Sequence, residues 1–294
     1  MNSSTPAQKR HIRLGHSPDP DDAFMFYGIA CGGVDCGNFE FEHVLADIQS
    51  LNEWAHESRL EITALSLHAY AHVADRYILL PNGASIGDKY GPIVVSRAAS
   101  LDLRGKRIAV PGLMTTAYLV LRMHTPDFEP VVVPFDQILE TVVEGKADAG
   151  LVIHEGQLTW PEYGLHKLLD LGEWWYEEEK LPLPLGVDTV RRDLGMEACS
   201  EIARILGESI EYAMAHRTEA LEYARQYGRG LDMDRTDRFV GMYVNQDTLD
   251  YGDRGRQAVR RVLERGHACG LLPRSMEVDF VPMPAKAAAP APVN

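Results

Sequence analysis

The stretch ADAGLVIHEGQLTW, residues 147–160, sets a histidine and a glutamate directly behind an apolar run. Leu151, Val152 and Ile153 read as a buried strand, and His154 stands at its end. A neutral imidazole mounted there can take a proton near neutral pH. The competing reading is a core histidine bonded to a carbonyl. If extended geometry persists, Glu155 points to the opposite side. The next histidine is His166, outside the helical spacing of a zinc protease, so no metal is expected at this pair. Thr115 and Thr116 follow a glycine-containing loop and open a helical stretch. Free N–H groups and hydroxyls there make an anion site; an ordinary N-cap is the alternative. Asp19, Asp21 and Asp22 form a tight acidic turn stiffened by Pro18 and Pro20, which suits helix caps better than metal ligands. Ser66 ends the run ITALS, where it can touch a ligand or cap the next helix. Dinucleotide and Walker patterns are absent from the sequence.

These residues need elements to hold them. His11–Gly15, Phe39–Val44, Ile62–Leu67 and Ile93–Ser96 read as strands. Ala23–Ala30, capped by Asp21 or Asp22, reads as a helix, as do Asp47–Ser58 and His68–Ala74. Together they suggest βαβαβ units and a parallel sheet. The pattern restarts with strands at Arg107–Val110, Val131–Val133 and Leu151–Ile153, and helices after Thr116 and over Phe135–Glu144. Leu181–Val190 is extended, with two prolines that suit an edge or a crossover. Helices follow at 197–215, 217–227, 234–244 and 254–268. The expectation is an α/β bilobal clamshell, two α/β lobes joined by two extended crossings near 94–97 and 185–190. One lobe would take 11–96 plus 188–283 and the other 97–187, with loose tails at 1–10 and 284–294. Such folds bind ligands in the cleft, at the carboxyl ends of strands.

The chain has 294 residues, enough for two units, and its 45% hydrophobic content supports a sizeable core. A formal charge of −14 argues against nucleic acid. No long apolar segment suggests a membrane span. The N-terminal MNSSTPAQKRHIRL has basic residues without an apolar stretch behind them, which suggests a cytoplasmic protein. Cys31, Cys36, Cys199 and Cys269 lack zinc spacing; a Cys31–Cys36 disulfide is one reading, and free thiols in a reducing compartment the favoured one.

SPDPDDAFMFYG, ITALSLHAYAHV, PGLMTTAYL and, above all, VPFDQILETVVEGKADAGLVIHEGQLTW resemble the menaquinone-biosynthesis family of periplasmic-binding-protein-like enzymes, over roughly residues 12–285. The resemblance implies a type II periplasmic-binding-protein-like clamshell. It also implies a lyase that fragments cyclic dehypoxanthinyl futalosine to 1,4-dihydroxy-6-naphthoate, with aromatisation and no metal or redox cofactor. The substrate would be a small carboxylate. His154 corresponds to the family's general base. Asp22, Ser66, Thr115 and Thr116 correspond to substrate-contacting positions, with Asn52 a looser match and Glu155 beside the base. Two places depart from the family pattern: the turn reads SPDPDDA, with Asp19, Asp21 and Ala23 where cysteine, asparagine and threonine are common, and Ala64 stands where a lysine is common. A non-catalytic solute-binding protein and a chorismate dehydratase remain alternatives on the same fold, and a homodimer is compatible with the sequence.

Overall fold

The computed structural model describes residues 9–283. The expected tails, 1–8 and 284–294, lie outside the described residues; Arg10 already belongs to the first strand. Eleven strands make two sheets among the described residues: β1 (Arg10–His16), β2 (Phe39–Leu45), β3 (Ile62–Ser66), β4 (Tyr77–Leu79), β5 (Ser85–Gly87), β6 (Ile93–Ser96), β7 (Arg107–Val110), β8 (Glu129–Val132), β9 (Ala149–Val152), β10 (His166–Asp170) and β11 (Leu183–Arg191). The first sheet runs β2-β1-β3-β11-β4 with β5 also on β11; the second runs β10-β6-β9-β7-β8.

Both sheets are mixed rather than parallel. β1 runs parallel to β2 and β3, whereas β11 returns antiparallel to β3, β4 and β5. In the second sheet β7 is parallel to β8 and β9, and β6 is antiparallel to β9 and β10. A short apolar run is buried on both faces in either direction, so periodicity carries no sign of orientation. For the same reason IVVS, expected as the last strand of the first lobe, lies in the second sheet between β9 and β10. β11 is an interior strand despite Pro184, which sits where its register against β5 shifts. The chain therefore crosses between the sheets at 88–92 and 180–182.

Helices cover both sheets. The helix expected from Ala23 begins at Pro20 and breaks at Phe26 into Pro20–Met25 and Tyr27–Ala30. Its cap is Asp19, not Asp21 or Asp22, because the cap position is the residue just before Pro20 at the first helical position. Ile48–Ala55, Leu67–Val73, Thr116–His124 and Ile138–Val143 follow the expectation closely, the last behind a 3-10 turn. The helices Met196–Ala215, Arg217–Arg225, Met233–Tyr243 and Gly252–Ala268 also match. β4, β5, β10 and the helix Leu171–Glu179 are not foreseen from the sequence pattern; that helix supplies Trp175, fully buried in the main core. All four cysteines are free. Among the described residues no helix is long and apolar enough to cross a membrane.

Candidate active site

A cleft of about 690 Å³ lies between the sheets. The first sheet contributes the Ser17–Asp22 turn after β1, Ser66 at the end of β3, and Gly186–Asp188 of β11. The second contributes Thr115–Ala117 after β7, and Ile153, His154 and Gln157 after β9. Phe239 and Tyr243 of the helix Met233–Tyr243 close one side.

His154 is not the continuation of a strand. β9 ends at Val152, and His154 adopts φ +52°, the left-handed region. A residue with a Cβ is uncommon there and is held at some cost by its surroundings. The extended geometry expected for Glu155 therefore does not persist. The His154 ring packs edge-on against Phe135 at 4.8 Å between centroids. Nδ1 lies 3.1 Å from Oδ2 of Asp19, and Nε2 is buried with no hydrogen-bond partner. His154 is not unique in ending a buried strand. His16 closes β1, its Nδ1 bonded to the Ser17 carbonyl and its Nε2 to His43.

Asp19 is 1% exposed. Burial pushes its pKa up, but the His154 charge, hydrogen bonds from Asp21 and Ser17 and the Asp22 N–H outweigh burial and hold it below the ordinary value. Asp21 and Asp22 move the other way. Burial first, and the Asp19 charge second, push both well above the carboxylate range. The turn thus sets one acid held low, Asp19, beside two pushed high, Asp21 and Asp22. Donor atoms of Asp19, Asp21 and His154 lie within 4.8 Å of one another, a set that could accept a cation. In this structure these groups bond to each other, and Oδ1 of Asp19 also caps the helix by accepting the Asp22 N–H at 3.2 Å.

The other expected residues divide by what they touch. Asp22 lines the cleft, its Oδ2 accepting the Ser17 N–H at 2.7 Å. Ser66 lines it too, and Asn52 does not. Asn52 is fully buried behind Ser66, donating to Oγ at 3.1 Å and accepting the Ser66 N–H at 2.9 Å. Thr115 is the N-cap of its helix: Oγ1 accepts from Tyr118 N–H and donates to the Gly112 carbonyl. Thr116 Oγ1 donates to the Leu185 carbonyl of β11 at 2.7 Å and accepts the His68 N–H. Both threonine hydroxyls are thus engaged within the protein, while among the described residues the backbone N–H groups of Thr116 and Ala117 at the helix start take no acceptor. Glu155 lies outside the lining and pairs with Arg229 at 3.0 Å.

Three features are not apparent from sequence reasoning. Asp19, one of three neighbouring acids, is the partner of His154. Tyr243, far along the chain, donates to Gln157 across the cleft at 3.0 Å. Asp188 lies on the cleft floor; in GVDTV a lone acid within an extended run carries no mark of being buried.

Comparison with known proteins adds the family. The model of a menaquinone biosynthesis family matches residues 12–268. A 1,4-dihydroxy-6-naphthoate synthase of Thermus thermophilus is 44% identical over 270 residues, covering 92% of this chain and 99% of its own. The enzyme of the same name from Streptomyces coelicolor is 38% identical, with coverages of 89% and 95%. A crystal structure of a protein from Archaeoglobus fulgidus superposes with a TM-score of 0.86 at 49% identity, over 89% of this chain and 98% of that one. The alkanesulfonate-binding protein of Xanthomonas axonopodis pv. citri matches at 14% identity with a TM-score of 0.68, covering 92% and 96%. At that distance the likeness is one of fold alone, and the fold is that of the periplasmic binding proteins, two mixed sheets in two lobes.

Proposed function

The chain belongs to the menaquinone-biosynthesis family, and on that footing we propose that it is a carbon–carbon lyase converting cyclic dehypoxanthinyl futalosine to 1,4-dihydroxy-6-naphthoate, with His154 as general base. The observation that carries the assignment is the Asp19–His154 pair. An ionised Asp19 accepts the Nδ1–H, which leaves the lone pair on Nε2 for a substrate proton. Phe135 fixes the ring plane. The substrate carboxylate sits at the start of the helix Thr116–His124, on the N–H groups of Thr116 and Ala117, with the Ser66 hydroxyl beside it. Asn52 orients that hydroxyl. Thr115 and Thr116 hold the helix start, and Asp22 meets the substrate from the facing turn. A well-placed base contributes typically ~10²–10⁴-fold, and formation of an aromatic ring supplies the driving force. Closure of the two lobes shields the reacting atoms from water.

The test is product analysis by mass spectrometry after incubation with cyclic dehypoxanthinyl futalosine. Formation of the naphthoate is expected, and His154→Ala should lower turnover by at least ~10²-fold while still binding the product. More than about a tenth of wild-type turnover in that variant overturns the base assignment. Dehydration of chorismate in place of naphthoate formation would move the protein to the sister activity, and ligand binding without turnover of either compound would make it a binding protein.

A further inference from the structure

We propose that Asp188 is a second catalytic residue, a neutral carboxylic acid that hands its proton to the departing fragment while His154 takes one from the substrate. The proposal rests on the lyase reading above. Asp188 lies on the interior strand β11, opposite Ala64 of β3, and Ser66 lies opposite Gly186. In an antiparallel pair, opposed residues share a face and their diagonal neighbours stand about 7–8 Å apart. Asp188 and Ser66 are thus on one face of the sheet, and that face lines the cleft.

The carboxyl group is built into the floor. Asp188 is 1% exposed, and Oδ2 is buried without a hydrogen-bond partner. No salt bridge or side-chain hydrogen bond to Asp188 is found among the described residues. The residue directly across, Ala64, brings no charge. The adjoining loop leaves space for the group by carrying Gly83 at φ +81°: a Cβ there would fall 2.0 Å from Oδ2. A charged carboxylate kept in such a place, with no cation and no donor, is costly, and the group stays protonated instead. Burial accordingly pushes the acid well above the carboxylate range. The titratable groups that face it are Asp22, itself raised, and Tyr251 at the start of the helix Gly252–Ala268, also raised by burial. Neither supplies a positive charge that would ionise Asp188.

The step balances without an oxidant. Nε2 of His154 takes a substrate proton, and the electron pair left behind becomes a new π bond. The bond to the departing fragment breaks, and the pair that the fragment carries away takes the Asp188 proton. The protein is left with an imidazolium and a carboxylate, and exchange with water restores both. A base and an acid on opposite lobes suit this division of labour.

Asp188→Asn decides the matter, because the carboxamide keeps shape and hydrogen bonding but cannot give up a proton. We expect kcat to fall by at least ~10²-fold with KM changed by less than about threefold. Asp188→Ser, smaller and equally unable to act as an acid, should show the same fall and covers the case in which the asparagine variant does not fold. Binding of the naphthoate product, followed by calorimetry, checks that each variant retains its cleft. A kcat within threefold of wild type in either folded variant overturns the proposal. A loss confined to KM also overturns it, by making Asp188 a binding group only. Wild-type turnover of the futalosine, measured alongside, separates failure of this proposal from failure of the lyase reading.

Discussion

At the scale of single residues the site depends on which atom of which acid is charged. His154 is legible in the sequence because a polar pair behind Leu151–Ile153 has no place in a core. Asp19 is not: three aspartates within four positions look alike in sequence, and only the fold decides that one is buried against the imidazole. Asp188 is hidden because a lone acid between Val187 and Thr189 ordinarily signals an exposed strand position, and only the pairing of β11 with β3 shows it buried. The pairing gives Asp19 a positioning role with a measurable signature. In Asp19→Asn the carboxamide can turn its NH₂ toward Nδ1, which moves the proton of the neutral ring to Nε2 and removes the acceptor. We expect kcat to drop by ~10²-fold or more while KM stays within about threefold. Nitrogen NMR of labelled histidine should show His154 protonated at Nδ1 in the wild type and at Nε2 in the variant. An unchanged tautomer together with an unchanged kcat would leave Asp19 as nothing more than a helix cap.

At the scale of elements, the loops that carry the site are tied down by neutral histidines. His16 at the end of β1 donates from Nδ1 to the Ser17 carbonyl, and its Nε2 faces Nδ1 of His43. His68 at the start of the helix Leu67–Val73 bonds the Thr115 carbonyl through Nδ1, and its N–H meets Thr116. Burial, reinforced by His43, pushes His16 down to about 4, and burial pushes His68 down to about 4 as well. A histidine depressed in the folded state stays neutral there while the unfolded chain takes up its proton at about 6.5. Their share of stability is therefore complete above pH 6.5 and is lost as pH falls toward 4. Each contributes up to ~3 kcal/mol across that window, since every tenfold difference in proton affinity between the folded and unfolded chain is worth about 1.36 kcal/mol. Urea unfolding at successive pH values should show this decline, and His68→Asn should flatten part of it. A stability constant from pH 7 to 4.5 would contradict the burial of both rings. Most of these elements are legible from period and caps, notably β1, β3, β7 and the four C-terminal helices. What stays hidden is pairing. Ile93–Ser96 and Leu183–Arg191 read as extended, but their sheets follow from contacts with strands tens of residues away. β4 and β5, three residues each, are too short for any period to register.

At the scale of the whole molecule the structure is a closed clamshell, and its latches surround the base. Residues 154–162 reach across to the other lobe through four contacts: His154 with Asp19, Glu155 with Arg229, Gln157 with Tyr243 and Glu162 with Arg235. Thr116 adds a hydrogen bond to β11. The catalytic pair is itself one of these contacts, so closing the lobes assembles the base as well as covering the substrate. Opening of the lobes to admit a substrate would break them. The crossings at 88–92 and 180–182 are the segments free to bend, and Gly91 and Pro92 lie in the first. Glu155 is the latch to cut, since it carries no chemistry and lies outside the cleft lining. Its side chain is 11% exposed and that of Arg229 31%, so the pair contributes on the order of 1 kcal/mol, about a fivefold shift in the open–closed balance. Glu155→Gln should therefore raise KM several-fold with kcat nearly unchanged at saturation. Solution scattering should show the free variant larger than the free wild type by roughly an ångström or less in radius of gyration, as expected for whole lobes moving about a hinge. Saturating naphthoate should bring both proteins to the same compact curve. If free and saturated curves coincide in wild type and variant alike, the cleft is preformed, the substrate enters without hinge bending, and the Asp19–His154 pair is a permanent feature rather than one made at each closure.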